Sequence, residues 1–178
     1  MFLQVLLFNI YLGRAFPLGE PDRSISDRAT KVSHIFEQSG FLAPVRSDFR
    51  EEIWLKILGN LCFNPISALT GAYVGEIVAF EPSRQLCHDA MTEAESLANA
   101  LGCFLRITVE HRLEKAVKVG NHRTSMLQDR ESGKPLEVEL LTSVVEIANM
   151  IGFKVPTIRA LEACTLLTNK TISIRSRL

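Results

Sequence analysis

Residues 53–67 constrain this chain more than any other stretch. Read as a helix, Trp54, Ile57, Leu58 and Leu61 form one apolar stripe at i, i+3, i+4 and i+7. Leu55, Cys62, Phe63 and Ile66 are apolar too and fall elsewhere around the wheel. A helix that is apolar on nearly all sides is stable only when other elements enclose it. One line escapes this pattern: Lys56, Asn60 and Asn64, at i, i+4 and i+8, span about 80° of the wheel. Two readings stay open. The line is either a solvated edge, with Glu52 pairing Lys56 across one turn, or the lining of a cleft. Two features favour the cleft. Asparagine is a poor helix former, so two on one line carry a cost, and Pro65 leaves the Leu61 carbonyl without its helical partner.

A second residue falls on the wrong face of its element. The pattern predicts a helix from Pro135 to a stop at Gly152, with Leu140, Leu141, Val144, Ala148 and Ile151 as its apolar face. Glu139, Thr142, Glu146 and Asn149 make the polar face, yet Glu137 lies four residues before Leu141 and seven before Val144, inside the apolar one. With Pro135 as first helical residue, Glu137 is third. There it either receives backbone N–H groups and favours the helix dipole, or is buried with a partner. A lysine on a neighbouring helix would be such a partner, able to deliver a proton to a substrate oxygen.

The rest of the chain also reads as helical. Ser26 or Asp27 caps a helix running to about Ser39, with Gly40 as its stop, and Asp48 can cap a helix from about Phe49 to Ala72 that breaks or kinks near Pro65. Glu81-Pro82-Ser83 opens another, to about Leu101 and Gly102; Thr108 to Val119 is a further candidate. Gly120 to Lys134 is polar with short helical stretches. A final helix starts at Val155-Pro156-Thr157 and runs to about Thr168, leaving a basic, frayed tail from Asn169. Met1 to Leu12 (MFLQVLLFNIYL) is read as a buried strand or its remnant. It resembles a signal-peptide core, but no basic residue precedes it and no A-x-A site follows closely. The fold class is therefore all-α with a short extended piece in front.

Composition narrows the function. With 178 residues, 47% hydrophobic, the chain is one ordinary domain with a sizeable core, not a disordered segment. Twenty basic and 20 acidic residues give no net charge and argue against nucleic-acid binding, and no apolar run reaches the roughly 18 residues of a membrane span. Cys62, Cys87, Cys103 and Cys164 sit among apolar neighbours, without CxxC spacing, and read as buried free thiols suited to a reducing cytosol. The four histidines match no ligand pattern, so no metal is expected. No GxGxxG or GxxxxGK[ST] loop occurs, and the stretch from Gly71 to Gly75 follows no strand.

Three ordered motifs carry a family resemblance. Trp54-Leu-Lys56-Ile-Leu-Gly-Asn60-Leu-Cys-Phe-Asn64-Pro65 resembles the W-x-K-x-x-x-N-x-x-x-N-P signature of ketopantoate reductases. His122 to Asp129, then Gly133 and Glu137, resembles that family's H-x-[ST]-S-M-L-Q-D…G-x-x-x-E segment. Gly19-Glu20-Pro21-Asp22 is similar to its G-E-P-D-G turn at the domain junction. The resemblance runs from about Leu12 to Leu167 and implies the family's helical C-terminal domain, like that of 6-phosphogluconate dehydrogenase, without the Rossmann domain. It divides the chain into an interdomain strand or truncated start (1–18), the helical domain (19–170) and a tail (171–178).

The resemblance also implies roles. Lys56 would donate a proton to the substrate C2 oxygen, Asn60 and Asn64 would hydrogen-bond the substrate, and Ser125 would hold its carboxylate end. Glu137 would lie near both Lys56 and the nicotinamide amide. NADPH would be bound mainly by a Rossmann domain supplied in cis or in trans, and the substrate would be ketopantoate or a related small 2-oxo acid. Some members carry a further asparagine ten positions after the one matching Asn64, where this chain has Val74. The chain is thus expected to be a cytoplasmic substrate-binding and proton-donating domain, with a second copy of itself (a homodimer) among its expected partners, inactive without its Rossmann partner. The alternative is a non-catalytic helical dimerisation or interaction module derived from that family.

Overall fold

A computed structural model describes residues 15–175. Eight helices occur among them: α1 (Asp27–Gln38), α2 (Phe49–Thr70), α3 (Val74–Ala79), α4 (Glu81–Ala100), α5 (Val109–Val119), α6 (Ser125–Glu131), α7 (Glu139–Met150) and α8 (Pro156–Arg175). They fall into two compact units whose boundary, between Trp54 and Leu55, lies inside α2. The all-α expectation holds. The expected strand over Met1 to Leu12 lies outside the described residues.

In the first unit the chain begins extended. Ala15 and Leu18 form isolated parallel bridges with Leu42 and Val45. Leu18 N donates to the Pro44 carbonyl at 2.9 Å and the Leu18 carbonyl accepts from Arg46 N at 2.8 Å. Gly19 then passes so close to Phe49 that a Cβ on it would lie 2.2 Å from the Phe49 Cβ, which explains why only glycine fits. The next residue, Glu20, is nearly buried. Its carboxylate accepts Nε of Arg28 at 2.6 Å, a second guanidinium N–H from Arg28, and the Ser26 hydroxyl. Ser26 meanwhile caps α1 by accepting from Ala29 N at 3.1 Å. At the fifth position of this turn, where the family pattern has glycine, Arg23 adopts a left-handed φ of 69°. Such a backbone costs a branched side chain on the order of 1 kcal/mol; Arg23 spends its guanidinium on Glu51, at 2.7 Å.

The second unit packs α3 on α4 and α5, α4 on α5 and α8, and α7 on α8. Leu58, Leu61 and Cys62 of α2 are fully enclosed, as are Cys87, Ala90, Met91, Ala94 and Leu97 of α4. The N-terminus of α8 is capped from a distance: the Glu93 carboxylate on α4 accepts from Thr157 N and Ile158 N at 2.9–3.0 Å, a charge-assisted bond aligned with the dipole.

Several boundaries differ from the sequence reading. α2 runs unbroken through Pro65, and α3 is an additional short helix. α8 continues to Arg175, through most of the stretch from Asn169 expected to fray. Pro135 does not open α7, which starts at Glu139. Tertiary contacts override the pattern there: Leu136 N donates to Asn169 Oδ1 at 2.8 Å, and Leu136 and Val138 both turn inward to an apolar cluster, so residues 134–138 form a non-helical strap. Cys164 is exposed, contrary to the expectation that all four thiols are buried. Glu52 pairs with Arg46 at 3.3 Å.

The Glu20 cluster makes acid stability testable. The Arg28 and Ser26 hydrogen bonds hold the Glu20 carboxyl at about 2, below its ordinary 4.5. A depressed carboxyl pKa stabilises the fold above the unfolded value and loses that contribution as pH falls through the folded one. Melting curves of Glu20→Gln should therefore be flatter than wild type between pH 4.5 and 2, with the variant less stable at neutral pH.

Candidate functional site

α2 supplies the spine of the site. Its apolar residues Leu58, Leu61, Cys62, Phe63 and Ile66 are buried, whereas Lys56 is exposed and Asn60 and Asn64 are half-buried. The polar line predicted from spacing is therefore exposed at Lys56 and half-buried at Asn60 and Asn64, as are Leu55 and Ile57 beside it. Its flanks are fixed by close packing. Gly59 faces α5, where a Cβ would lie 2.7 Å from a guanidinium nitrogen of Arg112. Cys62, on the far side, is fully buried near Cys87 of α4; its thiol donates to the Leu58 carbonyl at 3.5 Å, and burial pushes its pKa well up. That thiol stays protonated and supplies no nucleophile.

Ser67 extends the same line. Eleven residues after Lys56 the helix returns to within about 20° of it, and Ser67 is fully buried. Its hydroxyl lies 2.5 Å from that of Thr124, also buried, and donates to the Asn64 carbonyl at 2.9 Å. Thr124 is the N-cap of α6: its hydroxyl oxygen accepts from Leu127 N at 3.1 Å. Ser125, the first residue of α6, is thereby set beside the C-terminal end of the line, with its own side chain exposed.

The strap carrying Glu137 arrives at the same place. Leu136 and Val138 join Met126 of α6 and Ala68 of α2 in one buried cluster, against which Ile172 of α8 packs. Glu137, between two inward residues, is exposed. It is not the third residue of α7, so neither the helix-end nor the buried-in-a-helix reading describes it. The cluster shared by Ala68, Met126, Leu136 and Val138 brings the chain on either side of Ser125 and Glu137 to the last turns of α2, and Lys56 lies two turns, about 12 Å of helix rise, back along the line from Asn64.

The loop into α6 is held by backbone. Val74 N donates to the His122 carbonyl at 3.1 Å and Gly75 N to the Gly120 carbonyl at 2.9 Å. Val74 is itself a core residue at the start of α3, so it offers no polar group in place of the further asparagine found in some family members. Sequence reasoning missed Ser67, Thr124 and the Asn169 clamp on Leu136. The first two left a signal: Ser67 shares the helical phase of Lys56, and Thr124 is a standard N-cap residue.

The donor set suits an anionic, oxygen-rich ligand: an ammonium, two amides and a hydroxyl. Among the described residues, no three His, Cys, Asp or Glu side chains cluster as a metal site. Every described glycine with positive φ closes a helix C-terminus, the electronegative end; none opens a helix as a phosphate cradle does.

Comparison with known proteins follows this geometry. The profile of the ketopantoate reductase PanE/ApbA C-terminal family matches residues 48–167. A 2-dehydropantoate 2-reductase of Mesorhizobium japonicum is 45% identical over 152 residues, covering 85% of this chain and 47% of that protein. One from a Nostoc species is 28% identical over 145 residues, 80% of this chain and 46% of that protein. The chain thus spans about half the length of the curated relatives it matches. The crystal structure of 2-dehydropantoate 2-reductase from Methylococcus capsulatus superposes with a TM-score of 0.81 at 26% identity, over 89% of this chain and 56% of that one. D-mandelate dehydrogenase shares the fold alone, with a TM-score of 0.78 at 15% identity, over 91% of this chain and 69% of that one.

The loop that positions Ser125 can be tested directly. A Cβ at residue 75 would lie 2.8 Å from the Gly120 carbonyl oxygen, so Gly75→Ala must push two backbones apart. It should cost about 1–3 kcal/mol in urea denaturation, with the largest gain in amide exchange at residues 120–127.

Proposed function

We propose a function from one premise: the chain belongs to the ketopantoate reductase family, as its C-terminal helical domain. On this reading it is the substrate-binding and proton-donating part of an NADPH-dependent reductase that converts 2-dehydropantoate, or a related small 2-oxo acid, to the 2-hydroxy acid. The observation that carries the proposal is the polar line of α2. Lys56, exposed, and Asn60 and Asn64, half-buried, stand on one line of a largely buried helix, and the Ser67–Thr124 hydrogen bond ties the turn before Ser125 to the end of that line.

The chemistry assigns each residue a task. Hydride addition to the C2 ketone builds negative charge on its oxygen. The Lys56 ammonium stabilises that charge and transfers a proton to it, leaving a neutral amine that solvent reprotonates. The Asn60 and Asn64 amides donate hydrogen bonds that orient the ketone and hydroxyl ends without adding charge. The Ser125 hydroxyl donates to the substrate carboxylate. Glu137, exposed on its strap, accepts hydrogen bonds from the nicotinamide amide or Lys56. The dinucleotide, held by a Rossmann domain in cis or in trans, supplies the hydride when bound.

No helix among the described residues is long and apolar enough to cross a membrane. Three buried free thiols and one exposed one suit a reducing compartment, and we place the reaction in the cytoplasm.

The test is a chimera in which this chain replaces the matching C-terminal segment of the Mesorhizobium japonicum reductase. Lys56→Ala should lower kcat/KM for 2-dehydropantoate by roughly 10²–10⁴-fold while the KM for NADPH stays within about twofold. Lys56→Arg should not restore it, because a guanidinium keeps its proton. Unchanged kcat/KM in Lys56→Ala would overturn the catalytic assignment and favour a non-catalytic helical module.

A further inference from the structure

We infer that Ser67 and Thr124 form a positioning pair that sets how tightly this domain holds its 2-oxo acid, an inference that rests on the function proposed above. Neither hydroxyl reaches solvent: Ser67 is 0% and Thr124 4% exposed. Buried hydroxyls are retained only where they are hydrogen-bonded, and these two are bonded in an order that their proton count fixes. Each hydroxyl has one proton. Ser67 gives its own to the Asn64 carbonyl at 2.9 Å, so across the 2.5 Å contact Thr124 must be the donor. Thr124 can then only accept from Leu127 N, as it does at 3.1 Å.

The result is a one-way chain of hydrogen bonds: Leu127 N–H to Thr124, Thr124 to Ser67, Ser67 to the Asn64 carbonyl. It spans 57 residues of sequence at the Ser67–Thr124 contact and joins the two elements proposed to bind substrate. Asn64, at one end, bears an amide on the polar line; Ser125 follows Thr124 directly at the other. Neither Ser67 nor Thr124 touches the substrate. Both act by fixing the separation of the Asn64 amide from the Ser125 hydroxyl, and a small loosening of such a separation has a large effect on binding.

In the chimera, Ser67→Ala should raise the KM for 2-dehydropantoate about tenfold, with kcat and the KM for NADPH each within about twofold. Thr124→Val, which keeps the shape but loses the hydroxyl, should do the same, and Thr124→Ser should restore wild-type KM. In the 178-residue chain alone, Ser67→Ala should speed exchange of the Leu127 amide, because its acceptor loses a partner. Two results overturn the inference: substrate KM unchanged in Ser67→Ala, or both KM values rising together, which marks a general loss of folding. Asn60→Ala separates the two levels. If it raises the substrate KM and Ser67→Ala does not, the positioning pair fails and the site stands; if Asn60→Ala is silent, the proposed site itself fails.

Discussion

Enclosure of α2 is the constraint from which the remaining structure follows. Each buried leucine or phenylalanine on that helix gains about 1.5–3 kcal/mol only if it is covered, and the apolar residues point in almost every direction. α4 therefore meets it at Cys62 and Cys87, and α5 meets it at Gly59, where the absence of a side chain admits the Arg112 guanidinium. The glycine itself is a cost of about 1 kcal/mol in a helix interior, accepted for close approach. What is left partly open is the line from Lys56 to Asn64, with Leu55 and Ile57 beside it.

A polar strip on an enclosed helix is a rigid platform. Its side chains are held by backbone that cannot shift without disturbing the core, a property binding sites need. The contributions from outside α2, Ser125 from the start of a short helix and Glu137 from the strap before α7, are tied back to that platform by separate means. Ser125 depends on the buried hydroxyl pair of Ser67 and Thr124 and on the backbone bonds from α3. Glu137 depends on its neighbours: Leu136 and Val138 anchor apolar side chains on either side of it, and Asn169 of α8 clamps the Leu136 amide.

Local signals were legible wherever they decided the outcome. Ser26, Thr108 and Thr124 cap α1, α5 and α6, and the first two of those helices are read from sequence within a residue or two. The spacing of Lys56, Asn60 and Asn64 also located the partly open line of α2. Sequence reasoning failed where distant residues decide. Pro135 looks like a helix start, but the strap it begins is held by Asn169, 33 residues away from Leu136. The α8 cap is Glu93, 64 residues before Thr157. Ser67 reads as an ordinary helical serine until Thr124 is seen against it. These partners are fixed by packing of the whole second unit and leave no trace in a local window.

The central claim is that the Lys56–Asn60–Asn64 line is a ligand-binding face. Its most direct measurement is chemical footprinting: the rate at which an amine-reactive reagent acetylates each lysine of the two-domain chimera, with and without NADP+ and pantoate. Lys56 should be strongly protected by the two ligands together, while Lys115 and Lys118 of α5 label at unchanged rates. Equal labelling of Lys56 with and without the ligands would contradict the account.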